Sequence, residues 1–195
     1  MIDIKKDSKA YSYLKWANKF VASSDDATYE VLCYLHSDGN TLFAADGFKA
    51  CALVLDELGI DIPTGFYTFI DNKDFAILKP EAITLKYPNV EQLKPQLTKV
   101  AQSENYMVVG DTTKTYVSVR VSNWVKSKDR GACIDMAIYR ILKILPAALS
   151  IEYLTTVLNV PEAVECCTPK EYSTPLLFRN PVAWALLMPI KVKES

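Results

Sequence analysis

Seven apolar residues in a row, Val182-Ala183-Trp184-Ala185-Leu186-Leu187-Met188, set the strongest constraint on how this chain folds. A membrane-crossing helix needs about 20 such residues, so this run is too short to span a bilayer. It stands between Pro181 and Pro189 and is followed by the alternating Ile190-Lys191-Val192, a pattern that suits a buried strand. The segment is expected to be tied into a sheet and to close the core, because chain ends that nothing holds tend to fray.

Composition narrows the class. A chain of 195 residues with 50% hydrophobic content can bury an ordinary core. Lys and Arg total 22 against 23 Asp and Glu, so no global positive field announces a nucleic-acid binder and any basic surface must be local. The five cysteines show no C-x-x-C spacing, which reads as reduced thiols rather than a disulfide frame or a zinc site. The start, Met1-Ile2-Asp3-Ile4-Lys5-Lys6, lacks the apolar run of a signal peptide. A cytoplasmic location without membrane attachment is the expectation.

Helical spacing is clearest from Asp7 to Ala22. There Ala10, Tyr13, Leu14, Ala17, Phe20 and Val21 recur on one side, Trp16 widens that side, and Asp7 or Ser8 can cap. Ser8, Ser12, Lys15 and Lys19 form a polar stripe on another side. Strands are predicted at Tyr29–Leu35, Thr41–Ala45 and Phe48–Leu55, joined by turns at Asp38-Gly39 and Asp46-Gly47. Gly65–Ile70 and Phe75–Leu78 make a second hairpin, and Ile83–Tyr87, Tyr106–Val109 and Thr115–Val121 read as further strands. A second helix is predicted from Asp135 to Leu145, with Ile138, Ile141, Leu142 and Leu145 buried, Arg140 and Lys143 away from them, and Pro146 as its stop. Ile151–Leu158, Ala163–Cys167, Leu176–Phe178 and the terminal run complete the strands. The chain thus divides into two units of one plan, helix and then antiparallel meander, at about 1–95 and 96–195.

Three segments, in order, resemble the bacterial DNA polymerase sliding clamp family, the polymerase III beta subunit. Gly39-Asn40-Thr41-Leu42-Phe43-Ala44-Ala45-Asp46-Gly47-Phe48-Lys49-Ala50 is similar to the clamp strand that turns at Asp-Gly and presents a basic residue. Ala45 stands where that family usually has threonine, and Lys49 where it usually has arginine. Tyr87-Pro88-Asn89-Val90-Glu91-Gln92-Leu93-Lys94-Pro95 resembles the segment at a clamp domain's end, and Leu186-Leu187-Met188-Pro189-Ile190-Lys191 resembles its carboxyl-terminal strand. The resemblance implies an α+β, DNA-clamp-like fold, here a single clamp-like domain over 1–195. Its two helix-meander units would be related by a pseudo-twofold with the helices side by side. It also implies no catalytic activity and no cofactor, and a closed ring would take several copies of this chain as a homo-oligomer.

With the helices paired, Lys15, Lys19, Arg140 and Lys143 would face one surface and touch double-stranded DNA through its phosphates without reading bases. The same stripes also read as solvated helix faces. The resemblance further implies a pocket for short peptides of DNA polymerase or other clamp-binding proteins, at Gly47, Phe48, Lys49, Pro95, Leu187, Met188, Pro189 and Ile190. A flexible methionine suits such a pocket, although Leu187 to Ile190 also read as core.

The expected function is a sliding-clamp-like processivity factor, or a module derived from one, that contacts DNA non-specifically and binds replication proteins. A second reading is a non-encircling clamp-fold regulator or inhibitor, encoded by a phage or mobile element. A third is a thiol-dependent hydrolase. It would need His36, the one histidine, to meet Cys33, Cys51, Cys133, Cys166 or Cys167, and no spacing demands that. Cys166 and Cys167, adjacent on a strand, point to opposite faces and do not easily share a metal. No glycine-rich phosphate motif is present.

Overall fold

In the computed structural model, which describes residues 1–24, 30–88, 150–167 and 175–188 and the backbone of 106–109, the first helix begins where a cap is available. Ser8 accepts a hydrogen bond from the Tyr11 N–H at 3.1 Å and opens α1 (Lys9–Ala17), which tightens into a 3-10 turn at Asn18–Phe20. Ala10, Tyr13, Leu14, Trp16, Ala17 and Phe20 are buried along it, the side that the helical spacing predicts. Trp16 sits edge-on to Phe20 at 4.8 Å and to Tyr13 at 6.4 Å.

By internal packing the chain forms two compact units, Met1–Asn89 with Pro181–Ala185, and Val90–Asn180 with Leu186–Ser195. The first holds β1 (Ile2–Ile4), α1, a 3-10 turn at Glu30–Cys33, β2 (Leu35–Ser37), β3 (Thr41–Ala45), β4 (Lys49–Val54), the single-turn α2 (Leu55–Leu58), β5 (Gly65–Asp71) and β6 (Ala76–Glu81). Its strands run β1-β6-β5-β2-β3-β4 across the sheet, and β1–β6, β6–β5, β5–β2, β2–β3 and β3–β4 all pair antiparallel. Beside β4, the Val54 N–H donates to the Val182 carbonyl at 2.8 Å, so the start of the terminal segment joins this unit.

Cross-strand pairs Leu42–Leu53, Ala44–Cys51, Leu35–Tyr67 and Phe69–Leu78 line one face of the sheet and are all buried. α1 packs across β4 and β5. A smaller cluster of Val31, Leu32 and Phe66 gathers Ala45, Ile83 and Tyr87 around it. A helix followed by strands occurs twice within this unit, α1 before β2 to β4 and α2 before β5 and β6.

The second unit contains β7 (Tyr106–Val109), α3 (Ile151–Leu158), β8 (Val164–Cys167) and β9 (Leu176–Arg179). β7, β8 and β9 pair antiparallel in that order, and the Glu165–Arg179 cross-strand pair carries an ion pair of 3.0 Å. The last strand, β10 (Ala183–Leu187), is shared: its first three residues belong to the first unit and its last two to the second. Ala183, Ala185, Leu186 and Leu187 are all buried in it, as the seven-residue apolar run requires.

Several elements differ from expectation. Ile151–Leu158, predicted as a strand, is helical. Ser150 caps it by accepting from the Tyr153 N–H at 3.3 Å, and Leu154, Val157 and Leu158 bury at helical spacing. Tyr29–Leu35 is not one strand, since Glu30–Cys33 makes a 3-10 turn and pairing starts at Leu35. Ile83–Tyr87 forms no strand; the Ile83 N–H bonds back to the Glu81 carbonyl, and Ile83 and Tyr87 pack onto the small cluster instead. β1 and α2 were not anticipated. The predicted helix at 135–145 and the strand at 115–121 lie outside the described residues.

Candidate functional site

On the outer side of α1, Ser12, Lys15 and Lys19 are exposed, in line with the polar stripe of the sequence. Lys15 does not stand alone. Its ammonium lies 2.9 Å from Asp71 Oδ2 at the end of β5, and it donates to the Tyr11 hydroxyl at 3.0 Å. That hydroxyl in turn donates to Asp71 Oδ2 at 3.0 Å. From the β1–α1 connection, Lys6 reaches the other carboxylate oxygen, Oδ1, at 3.0 Å, and also donates to the carbonyls of Asn72 and Lys73.

The Tyr11 ring centre lies 5.7 Å from the Lys6 ammonium and 5.3 Å from that of Lys15, and the ring tilts against Phe69 at 6.3 Å. Hydrogen bonds from Lys15 and then from Lys6 hold the Asp71 carboxyl down at about 2, well below the usual carboxylate range. The Tyr11 hydroxyl and then Asp71 push the Lys15 ammonium up. Asp71 and Lys15 therefore stay ionised at neutral pH as an ion pair, with the Lys6 ammonium on the other carboxylate oxygen.

Of the four cations predicted to meet DNA, Lys15 and Lys19 lie on this side of α1 and its 3-10 extension, whereas Arg140 and Lys143 are outside the described residues. Lys6, Tyr11 and Asp71 were not anticipated as members. The Tyr11–Lys15 spacing of four was a readable signal. Asp71, sixty positions from Tyr11, gave none.

The β3–β4 turn is built by Asp46, whose Oδ1 accepts from the backbone N–H groups of Phe48 and Lys49, each at 2.9 Å. Gly47 takes the left-handed conformation that this turn demands, with φ of 92°. Phe48 projects outward and is 58% exposed. Lys49, expected as a presented basic residue, is turned inward instead. Its ammonium pairs with Asp46 Oδ2 and lies 5.7 Å from the centre of the Phe20 ring, leaving the residue 7% exposed.

In the second unit, Leu187 is fully buried and Met188 is 38% exposed. Pro95, Pro189 and Ile190 lie outside the described residues.

His36 stacks on Tyr87 at 4.7 Å and 7° and meets Phe66 at 4.8 Å. Burial lowers its pKa, against a smaller opposing effect of Asp38, and the buried His36 Nδ1 and Tyr87 hydroxyl have no hydrogen-bond partner among the described residues. Burial pushes the thiols of Cys33, Cys51, Cys166 and Cys167 up, the direction that suppresses the nucleophilic thiolate. Among the described residues, no three His, Cys, Asp or Glu side chains gather as a metal site, and no helix is long and apolar enough to cross a membrane.

A short capped helix laid across an antiparallel sheet, with a helix-then-strands order given twice in the first unit, defines the class: an α+β fold of the DNA-clamp type. Solved structures that share it include bacterial sliding clamps. The beta subunit of DNA polymerase III from Borrelia burgdorferi superposes with a TM-score of 0.60 at 15% identity, covering 98% of this chain and 62% of that one. The Helicobacter pylori beta clamp bound to a DNA ligase peptide gives 0.58 at 12%, with 98% and 65% covered. The Pseudomonas aeruginosa sliding clamp gives 0.57 at 15%, with 98% and 66% covered. The chain thus spans just under two thirds of each clamp. No protein-family model matches the sequence, and no curated protein does.

Proposed function

We propose that this chain contacts double-stranded DNA without sequence preference and serves as a sliding-clamp-like processivity factor, or as a module derived from one. The clamp fold over 98% of the chain carries this reading. It is supported by a helix that holds Lys15 and Lys19 at its solvent side. Lysines that meet phosphates and leave bases unread supply the weak, salt-sensitive attraction a sliding protein needs.

Replication proteins would dock through short peptides, as a DNA ligase peptide does on the Helicobacter pylori clamp. Phe48, exposed at the β3–β4 turn, is one apolar contact the first unit offers such a peptide, and Met188 is one that the described residues of the second unit offer. The role is binding rather than catalysis, in keeping with buried thiols whose pKa values are raised. One observation favours a non-encircling regulator as the second reading: Lys15 is already paired with Asp71, which reduces the positive charge this side of α1 presents.

Retention on DNA circles separates these. A processivity factor that assembles into a closed homo-oligomer should stay on a closed circular duplex through gel filtration and leave when the circle is cut. Equal retention on circular and linear duplex identifies the non-encircling module. Loss from both at low salt refutes the DNA reading.

A further inference from the structure

Asp71 closes β5 with its carboxylate aimed at the start of α1, and each oxygen holds a different lysine: Oδ1 takes Lys6 at 3.0 Å and Oδ2 takes Lys15 at 2.9 Å. A phosphodiester presents a similar pair of anionic oxygens, and an ammonium binds either group as a point charge. The cluster is open to solvent, with the Lys15 side chain 54% exposed, Lys6 33% and Asp71 22%. A phosphate can therefore approach both cations without any rearrangement of the backbone.

We propose that Asp71 is a built-in competitor for DNA phosphate, occupying Lys6 and Lys15 in the free protein so that a duplex lying on α1 gains these contacts only by displacing it. This rests on the reading that α1 meets DNA, and adds to it Lys6 as a further contact and Asp71 as the residue that keeps the contact weak. Two lysines with the carboxylate between them present a net single positive charge, where the lysines alone would present two. The Tyr11 hydroxyl, which accepts from Lys15 and donates to Asp71, holds the arrangement in register. Because the neighbouring ammonium groups keep the Asp71 carboxyl ionised far below neutral pH, the competition is permanent. Salt and DNA set it, not protons.

A carboxylate in this place could also do no more than fasten α1 to the β5–β6 hairpin. The two roles give different results in Asp71→Asn, which removes the charge and keeps a polar partner, and in Tyr11→Phe, which loosens the fastening and keeps every charge. Binding of the full chain to a short fluorescent duplex would be followed by anisotropy between about 50 and 200 mM salt. Asp71→Asn should bind several-fold tighter at the low end. Its plot of log affinity against log salt should steepen by about 0.9 if one lysine is freed to a phosphate and by about 1.8 if both are. Tyr11→Phe should keep the wild-type slope. Should the amide fail to fold by circular dichroism, Asp71→Thr, neutral and well suited to a strand end, carries the same expectation.

If the wild type binds and the folded neutral variants bind with the same affinity and slope, Asp71 is a fastening only and the proposal is overturned. If neither the wild type nor a neutral variant binds at low salt, the assignment of α1 to DNA falls, and the proposal with it.

Discussion

The β3–β4 turn offers a sharp energetic test, because one carboxylate does two jobs there. Asp46 Oδ1 accepts two backbone N–H groups, while Oδ2 pairs with an ammonium that is 7% exposed against the Phe20 ring. Removing one partner of a buried pair costs about 3 to 5 kcal/mol, because the other charge is left in a poor solvent. Asp46→Ala also deletes both turn hydrogen bonds, so the upper end of that range is expected. Asp46→Asn keeps the amide oxygen as acceptor and loses the charge, which should cost about 2 kcal/mol.

Lys49→Met is the informative contrast. It keeps the apolar stem over Phe20 and leaves Asp46, nearer to solvent, still bonded to the turn, so it should cost about 1 kcal/mol or less. In the double variant Asp46→Asn/Lys49→Met both charges are gone, and stability should return to within about 1 kcal/mol of the wild type. Urea unfolding of the full chain at fixed pH measures the four variants against the wild type. The reasoning fails if Lys49→Met is more damaging than Asp46→Asn, or if the double variant loses the sum of the two single losses.

Further outcomes follow from single residues. Gly47→Ala should cost about 1 kcal/mol in the same assay through backbone strain alone, since φ is 92° and an added Cβ meets nothing within 4 Å. Ser150→Ala should cost about 1 kcal/mol and speed amide exchange in the first turn of α3, because it removes the acceptor for the Tyr153 N–H. For His36, packed among Phe43, Phe66 and Tyr87 with Asp38 as its charged neighbour, burial puts the folded pKa below the unfolded value. Its neutral form therefore stabilises the fold fully above about pH 6.5, and that contribution is lost as pH falls from there through the folded value. The stability of His36→Gln should vary less steeply with pH between about 6.5 and 5 than that of the wild type.

Local chemistry made much of the first unit legible. The Asp38-Gly39 and Asp46-Gly47 turns, the β5–β6 hairpin and the buried side of α1 each depend on residues within a few positions of one another, and each is found where its pattern lies. Ile151–Leu158 was misread because Ile, Thr, Thr and Val favour strands. The helix was decided by the Ser150 cap and by burial of Leu154, Val157 and Leu158, which a propensity count underweights. β1 is three residues at a sheet edge, specified by its partner β6 rather than by any periodicity of its own.

The candidate site was half legible for the same reason. Lys15 and Lys19 fall on a readable helical stripe. Lys6 and Asp71 join them only through the fold, as Asp71 comes from a strand far along the chain. Lys49 reads as a surface cation because it follows a turn, yet strand alternation puts it on the same face as Cys51 and Leu53, which are buried.

Binding of the full chain to two duplexes of unrelated sequence, across a salt series, tests the assignment to DNA most directly. The clamp-type reading predicts equal affinity for both, falling steeply with salt, and a slope shallower by about 0.9 to 1.8 in the folded Lys15→Ala/Lys19→Ala variant. A preference for one sequence, or a double variant that binds both duplexes as the wild type does, would contradict it.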